Sequence, residues 1–289
     1  MQITHIRNGD ISLETRIAGP EDGEPVILLH GFPECWNTWR HQIPQLTAAG
    51  YRVFVPNMRG YGHSSKPRAV ADYHVKHLSA DVDAIRQFTG AEKIHLVGHD
   101  WGAMVAWWYA LGYQDHLASL SILNVPHPRV FMKKLKGSPA QLLKSWYIGF
   151  FQIPFLPELI LPLGDFWFYR WILKKSSCPG SYSEEDYRIL LEHWKIPGQT
   201  RATVNYYRSA GRSLPSPAKS KSRLQCPTQI LWGENDLALS LEMAEQSAEL
   251  LDNGTLTTYR DATHWLAHDK PEEISKRLVE HFVSNTIKG

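Results

Sequence analysis

The feature that most constrains this chain is the run Lys93-Ile94-His95-Leu96-Val97 leading straight into Gly98-His99-Asp100-Trp101-Gly102, with a helical pattern after it. An apolar strand that feeds Gly-x-x-x-Gly and then a helix is a sharp strand-turn-helix. Small flanking residues let the turn hold its central side chain out at the strand end. Such a turn needs a sheet with helices stacked on it. The central residue here is Asp100, not Ser or Cys. A hydroxyl or thiol suits acyl transfer, whereas a carboxylate suits displacement at an alkyl carbon, giving a covalent ester that water must then cleave. Esterases and peptidases are therefore disfavoured, and enzymes that open epoxides or remove halides are favoured.

The rest of the chain fits that architecture. Residues 2–18 alternate polar and apolar around Asn8-Gly9, a hairpin turn signal. Short apolar runs at 26–29, 51–55, 94–97, 120–123, 228–232 and 255–259 read as buried strands. Helical patterns at 78–88, 103–111, 241–251 and 271–283 lie between them. This alternation predicts a mostly parallel α/β sheet with helices on both faces. It breaks between about Pro126 and Pro217, where the chain is aromatic, punctuated by proline and helical in pattern. That segment is expected to be a helical lid inserted before the penultimate strand, with 213–220 as its return linker. The core would comprise 1–125 and 218–289, and the lid 126–217. A lid there would sit over the carboxyl ends of the strands, where open α/β sheets bind ligands.

Composition excludes several classes. Lys plus Arg is 31 and Asp plus Glu is 29, so the formal charge is 31 − 29 = +2. Nothing in that balance suggests a nucleic-acid partner. Cys35, Cys178 and Cys226 are an odd set without CxxC spacing, which fits a reducing, cytoplasmic setting better than disulfides. The N-terminus lacks a secretory h-region. The most apolar stretch, 148–163, carries three prolines and Glu158 and is too short and broken to span a bilayer.

Further pieces complete the chemistry. His30-Gly31-Phe32-Pro33-Glu34 follows the strand at 26–29. Backbone N–H groups of Phe32 and Trp101 are the expected oxyanion hole. His264 follows the last strand and is the expected base. Asp236, after the penultimate strand, is the expected acid that orients it, ahead of its neighbour Glu234. Asn124, at the other place an acid could stand, is neutral. His268 lies four residues beyond His264, but no His-Glu-x-x-His is present and no metal is expected. Gly62-His63-Ser64-Ser65-Lys66 lacks the closing glycine of a serine elbow. Gly60-Tyr61-Gly62 followed by Ser65 misses the dinucleotide fingerprint, so no nicotinamide cofactor is implied.

Together these residues closely resemble the soluble epoxide hydrolases of the α/β-hydrolase superfamily, over nearly the whole chain from Val26. The motifs that carry the resemblance are His30-Gly31-Phe32-Pro33-Glu34, Arg59-Gly60-Tyr61-Gly62, Gly98-His99-Asp100-Trp101-Gly102 and Asn124-Val125-Pro126-His127-Pro128. The resemblance implies two lid tyrosines that donate to the epoxide oxygen. Asn205-Tyr206-Tyr207-Arg208 picks Tyr207, and the stretch from Ser145 to Gln152 picks Tyr147. It implies an enzyme needing no cofactor and no metal, acting on a small apolar epoxide as a monomer or homodimer. Asp100 would form the ester, His264 with Asp236 would activate water, and Glu34 is a further candidate for placing that water. Haloalkane dehalogenase is the alternative with the same nucleophile, and a non-catalytic small-molecule receptor is a more distant one. Fluoroacetate dehalogenases carry Arg after the nucleophile. This chain has Trp101 there, which disfavours a small anionic substrate.

Overall fold

A computed structural model describes residues 1–137, 146–213 and 223–287. Eight strands form one sheet in the order β1-β2-β4-β3-β5-β6-β7-β8. β1 (Gln2–Asn8) and β2 (Ile11–Ala18) make an antiparallel hairpin, and β2 joins β4 (Arg52–Pro56) antiparallel. All remaining pairings are parallel: β3 (Pro25–Leu29), β5 (Ile94–His99), β6 (Leu117–Leu123), β7 (Thr228–Gly233) and β8 (Gly254–Tyr259). The hairpin turn sits one residue later than Asn8-Gly9 suggests. Asn8 still pairs with Ile11, so Gly9 and Asp10 form the tip.

The continuous apolar runs arise because both faces of the sheet are covered. In β3, Val26 and Leu28 join a cluster with α1 (Gln42–Ala48) and α12 (Pro271–Val283), while Ile27 and Leu29 join one with α2 (Val75–Thr89) and α3 (Trp101–Tyr113). Successive strand side chains point to opposite faces, and each finds a helix layer. β8 differs: it is an edge strand whose residues are exposed or half-buried, where the sequence reads as buried.

Between β6 and β7 every described element is helical: α4 (Pro128–Gly137), α5 (Trp146–Gln152), α6 (Leu156–Ile160), α7 (Leu163–Ser176), α8 (Glu184–Trp194) and α9 (Gln199–Ser213). The boundary at 217/218 and nearly all of the expected return linker lie outside the described residues. After β7 come α10 (Leu241–Ala248), shorter than the expected 241–251, and α11 (Leu266–Asp269). Among the described residues no helix is long and apolar enough to cross a membrane.

Candidate active site

β5 ends at His99 and α3 begins at Trp101, so one residue makes the reversal. Asp100 takes φ 51° and ψ −122°, a backbone state that side-chain-bearing residues rarely adopt. Close approach of three segments imposes it. A Cβ on Gly102 would lie 2.2 Å from the Leu29 carbonyl oxygen, and one on Gly31 would lie 2.3 Å from the Asp100 Cβ. Only glycine permits both contacts. The loop after β3 is thereby pressed against the nucleophile turn.

That loop supplies a donor. The Phe32 N–H donates to Asp100 Oδ1 at 2.6 Å. Trp101, the second expected donor, is the first residue of α3, and its N–H is one of those a helix start leaves without an intrahelical acceptor. Buried His30 shapes the loop from beneath. Its Nε2 accepts from the Met58 N–H at 3.1 Å, and its Nδ1–H donates to the Gly31 carbonyl at 3.0 Å. Desolvation lowers its pKa to about 4, which keeps that ring neutral.

The other carboxylate oxygen of Asp100, Oδ2, lies 3.4 Å from His264 Nε2. His264 Nδ1–H donates to Asp236 Oδ2 at 2.7 Å. Burial opposes a charge on the ring, but the carboxylates of Asp236 and Asp100 outweigh it and carry the His264 pKa to about 10. At neutral pH the site therefore holds an imidazolium between two carboxylates. Asp236 is itself buried, which alone would raise its pKa. His264, the Leu239 amide and Asn124 together hold it below the ordinary value. Its Oδ1 accepts from the Ala238 and Leu239 N–H groups at 2.8 and 2.9 Å. Glu234, the neighbouring candidate, has no hydrogen bond to His264 among the described residues.

Tyr147 on α5 and Tyr207 on α9 face each other, ring centroids 5.9 Å apart. Two cavities meet at these tyrosines and Asp100. One, of about 320 Å³, is walled by Phe32, Phe168, Ile172 and the Asp236–His264 pair. The other, of about 210 Å³, runs between Met104, Phe131, Met132 and Ile148. Burial first, and then the nearby Asp100 carboxylate, push both phenol pKa values well up, so both hydroxyls stay protonated.

The neighbours of Tyr207 explain how it is held. Tyr206 donates from its hydroxyl to the Arg59 carbonyl at 2.6 Å, anchoring α9 to the core. The guanidinium of Arg208 ties α5 to α6 through the Phe151 carbonyl at 3.0 Å and the Glu158 carboxylate. The Gln152 side chain donates to the Tyr207 carbonyl at 2.9 Å. The two tyrosine-bearing helices are thus one clamped unit.

Glu34 is not on the wall of either cavity. It is 1 % exposed, and its Oε1 accepts from the Tyr182 hydroxyl at 3.0 Å and from His268 Nε2 at 2.6 Å. Its Oε2 lies 3.5 Å from His99 Nδ1. Burial would raise the Glu34 pKa, but His268 and His99 hold it well below the carboxylate range. His99 Nε2–H donates to the His264 carbonyl at 2.8 Å, and Arg40 donates to His268 Nδ1 at 2.5 Å. Arg40, His268, Glu34 and His99 therefore form a buried polar chain that ends on the backbone of His264. Its physical effect is to brace the backbone at His264. Sequence reasoning passed over His99, Arg40 and Asn124. For Asn124 a signal existed: an amide directly after a strand, at the alternative position for the acid.

The chain is similar to known proteins over nearly its whole length. A family model described as alpha/beta hydrolase fold matches residues 24–271. AB hydrolase superfamily protein YfhM of Bacillus subtilis (strain 168) is 37 % identical over 277 residues, covering 96 % of each chain. Epoxide hydrolase 4 of Homo sapiens is 36 % identical over 281 residues, 94 % of this chain and 76 % of that protein. Among solved structures, an epoxide hydrolase of Bacillus megaterium in complex with an inhibitor superposes with a TM-score of 0.87 at 26 % identity, covering 97 % of this chain and 100 % of that one. An epoxide hydrolase from metagenomes of hot environments gives 0.86 at 31 % identity, covering 99 % of each.

Proposed function

Because the chain belongs to the epoxide hydrolases of the α/β-hydrolase superfamily, we propose that it converts an apolar epoxide to a vicinal diol through an ester on Asp100. One observation carries the mechanism: a carboxylate held at one oxygen by an amide shares its cavity with two protonated phenols. With Oδ1 held by Phe32, Oδ2 is the oxygen that attacks an epoxide carbon from behind. The carbon–oxygen bond breaks as the Asp100 ester forms, and the departing alkoxide takes a proton from Tyr147 or Tyr207. Stabilising charge where it develops is the chief catalytic gain.

Esterification removes the negative charge of Asp100 and with it part of the support for the His264 imidazolium. His264 then gives its proton to the tyrosinate, restoring the phenol, and becomes a neutral base oriented by Asp236. It takes a proton from water, and the resulting hydroxide attacks the ester carbonyl. The Phe32 and Trp101 N–H groups receive the tetrahedral oxyanion. On collapse the ester C–O bond breaks, the departing diol oxygen takes the proton of the newly formed carboxyl group, and the Asp100 carboxylate and His264 imidazolium are both restored. Residues 1–125 and 218–289 would supply nucleophile, base and acid, and the cap at 126–217 the two donors. No cofactor is required by these steps. Halide displacement is not favoured, because a departing halide needs no proton and leaves the two phenols without a role.

Two cavities meeting at Asp100 suit a substrate with an apolar substituent on each side of the ring. Three free cysteines, two of them buried, suit a cytoplasmic setting. The test is turnover on terminal and internally disubstituted epoxides, styrene-type and aliphatic, with analysis of the diols. Single-turnover reaction in heavy-oxygen water should give a first diol carrying protein oxygen, with label left in the Asp100 peptide. A first diol fully labelled from solvent would mean direct attack by water and would end this reading.

A further inference from the structure

The outer face of the cap carries large apolar side chains in a contiguous run of sequence. Phe155 is 77 % exposed, Leu159 68 %, Leu163 66 % and Trp167 61 %, with Trp171 beyond them. Single apolar residues scattered over a surface are ordinary, but a run of this kind marks an interaction site. Its arrangement on α7 is informative. Tyr169 and Leu173 point into the core, Phe168 and Ile172 line the larger cavity, and Trp167 and Trp171 stack on the outside at 6.0 Å. Three adjacent rows of one helix thus serve core, cavity and outer surface. The cavity wall and the exposed stripe are neighbouring rows of one helix.

Charge decides what covers the stripe. Lys174 and Lys175 continue the Trp167–Trp171 row by one turn, and both are exposed with no ion pair among the described residues. At the other end, Phe155 shares a surface cavity of about 550 Å³ with Arg68, Arg201 and Arg208. Among the described residues only Arg208 of these is ion-paired, with Glu158. The other acid of α6 and α7, Asp165, is already held by Lys195. An apolar stripe flanked by surplus cations, with its own acids spent, complements a surface that is apolar inside and anionic at its rim. Trp prefers the boundary between hydrocarbon and water, and Lys reaches from it to headgroups.

We propose that this face of the cap docks on the surface of an anionic phospholipid bilayer, so that the cavity mouth opens toward the lipid in which apolar epoxides dissolve. The docking depends on the stripe and its cations, not on the Asp100 chemistry. Interfacial binding of this kind adds the contribution of buried apolar area to that of attraction to acidic lipid.

Flotation of the full-length protein with vesicles tests it. Vesicles of phosphatidylcholine with about a third phosphatidylglycerol should carry the protein, at least roughly tenfold better than pure phosphatidylcholine. Lys174→Glu/Lys175→Glu should lose that preference. Leu159→Ser/Leu163→Ser/Trp167→Ser should float with neither, while hydrolysing a water-soluble epoxide at the wild-type rate. None of these residues touches the reacting atoms. Sedimentation velocity in parallel covers the competing occupant, a second copy of the chain. Absence of flotation, equal flotation on both vesicles, or a dimer that the triple variant dissociates would each overturn the proposal.

Discussion

The side-chain amide of Asn124 donates to Asp236 Oδ2 at 3.0 Å, the same oxygen that accepts from His264 at 2.7 Å. Asn124 also exchanges both of its amide groups with the Gly233 backbone, at 2.9 and 3.2 Å. It therefore joins the ends of β6 and β7 and sets the carboxylate that sets the base. Asn124→Ala should leave the buried Asp236 oxygen one donor short and the Gly233 groups unpartnered. Thermal unfolding should report a loss of about 1–3 kcal/mol. Stopped-flow kinetics should show ester hydrolysis slowed while ester formation is little changed. Loss confined to stability, with wild-type hydrolysis, would make Asn124 purely a structural clasp.

His264→Gln should still form the ester but hydrolyse it slowly, because the ring acts as a base only after Asp100 is alkylated. Intact-protein mass spectrometry after epoxide addition should show one persistent adduct. Asp236→Asn should give a milder version of the same trace, and Glu234→Gln should give none. A Glu234→Gln protein that accumulates adduct would move the orienting acid.

Tyr207→Phe and Tyr147→Phe should each slow ester formation, and the double variant should stop it. Two donors aimed at one developing alkoxide substitute partly for each other. Removing such a donor costs about 3–4 kcal/mol in comparable sites, and each single variant should fall near the lower figure. Quenching of Trp fluorescence isolates the step, since Trp101 adjoins the nucleophile and contacts Tyr207 edge-on at 5.0 Å. Alkylation at the wild-type rate in the double variant would reduce both tyrosines to packing.

The pH dependence of stability follows from the resting imidazolium. The His264 pKa is raised from 6.5 to about 10 in the folded chain. A group raised on folding stabilises fully below its unfolded pKa, and that contribution disappears as pH rises through the folded value. The melting temperature of the wild type should therefore exceed that of His264→Gln by most near pH 6. The gap should narrow steadily above that and close near pH 10. A gap that widens with pH would show that the ring is neutral in the resting enzyme.

What could be read from the chain divides by range. The turn at Asp100 was legible because its glycines, strand and helix lie within a few residues. His264 and Asp236 were legible because each follows a strand end in a known order. Glu34 was visible as part of a motif, but its partners are not local. His99, Tyr182 and His268 lie far along the chain, and His268 meets Glu34 across 234 residues. No periodicity reports such a contact, so the two histidines that face this carboxylate are not legible from the chain. Asn124 reads from the chain as neutral, and so as a lesser place for the acid. It serves because it is neutral: an amide can donate to the carboxylate that a second acid would repel. β8 looked buried because Thr and Tyr fit strands whether or not a neighbour covers them.

The clamp between α5 and α9 has a consequence for ancestry. On the proposed mechanism, Arg208 and Gln152 bind the two proton donors into one insert, while nucleophile, acid and base all belong to the flanking segments. Opening the electrophile and cleaving the ester are thereby encoded in separable stretches of chain. A lineage could exchange the insert, acquire a new leaving group, and inherit the water-cleaving half unchanged.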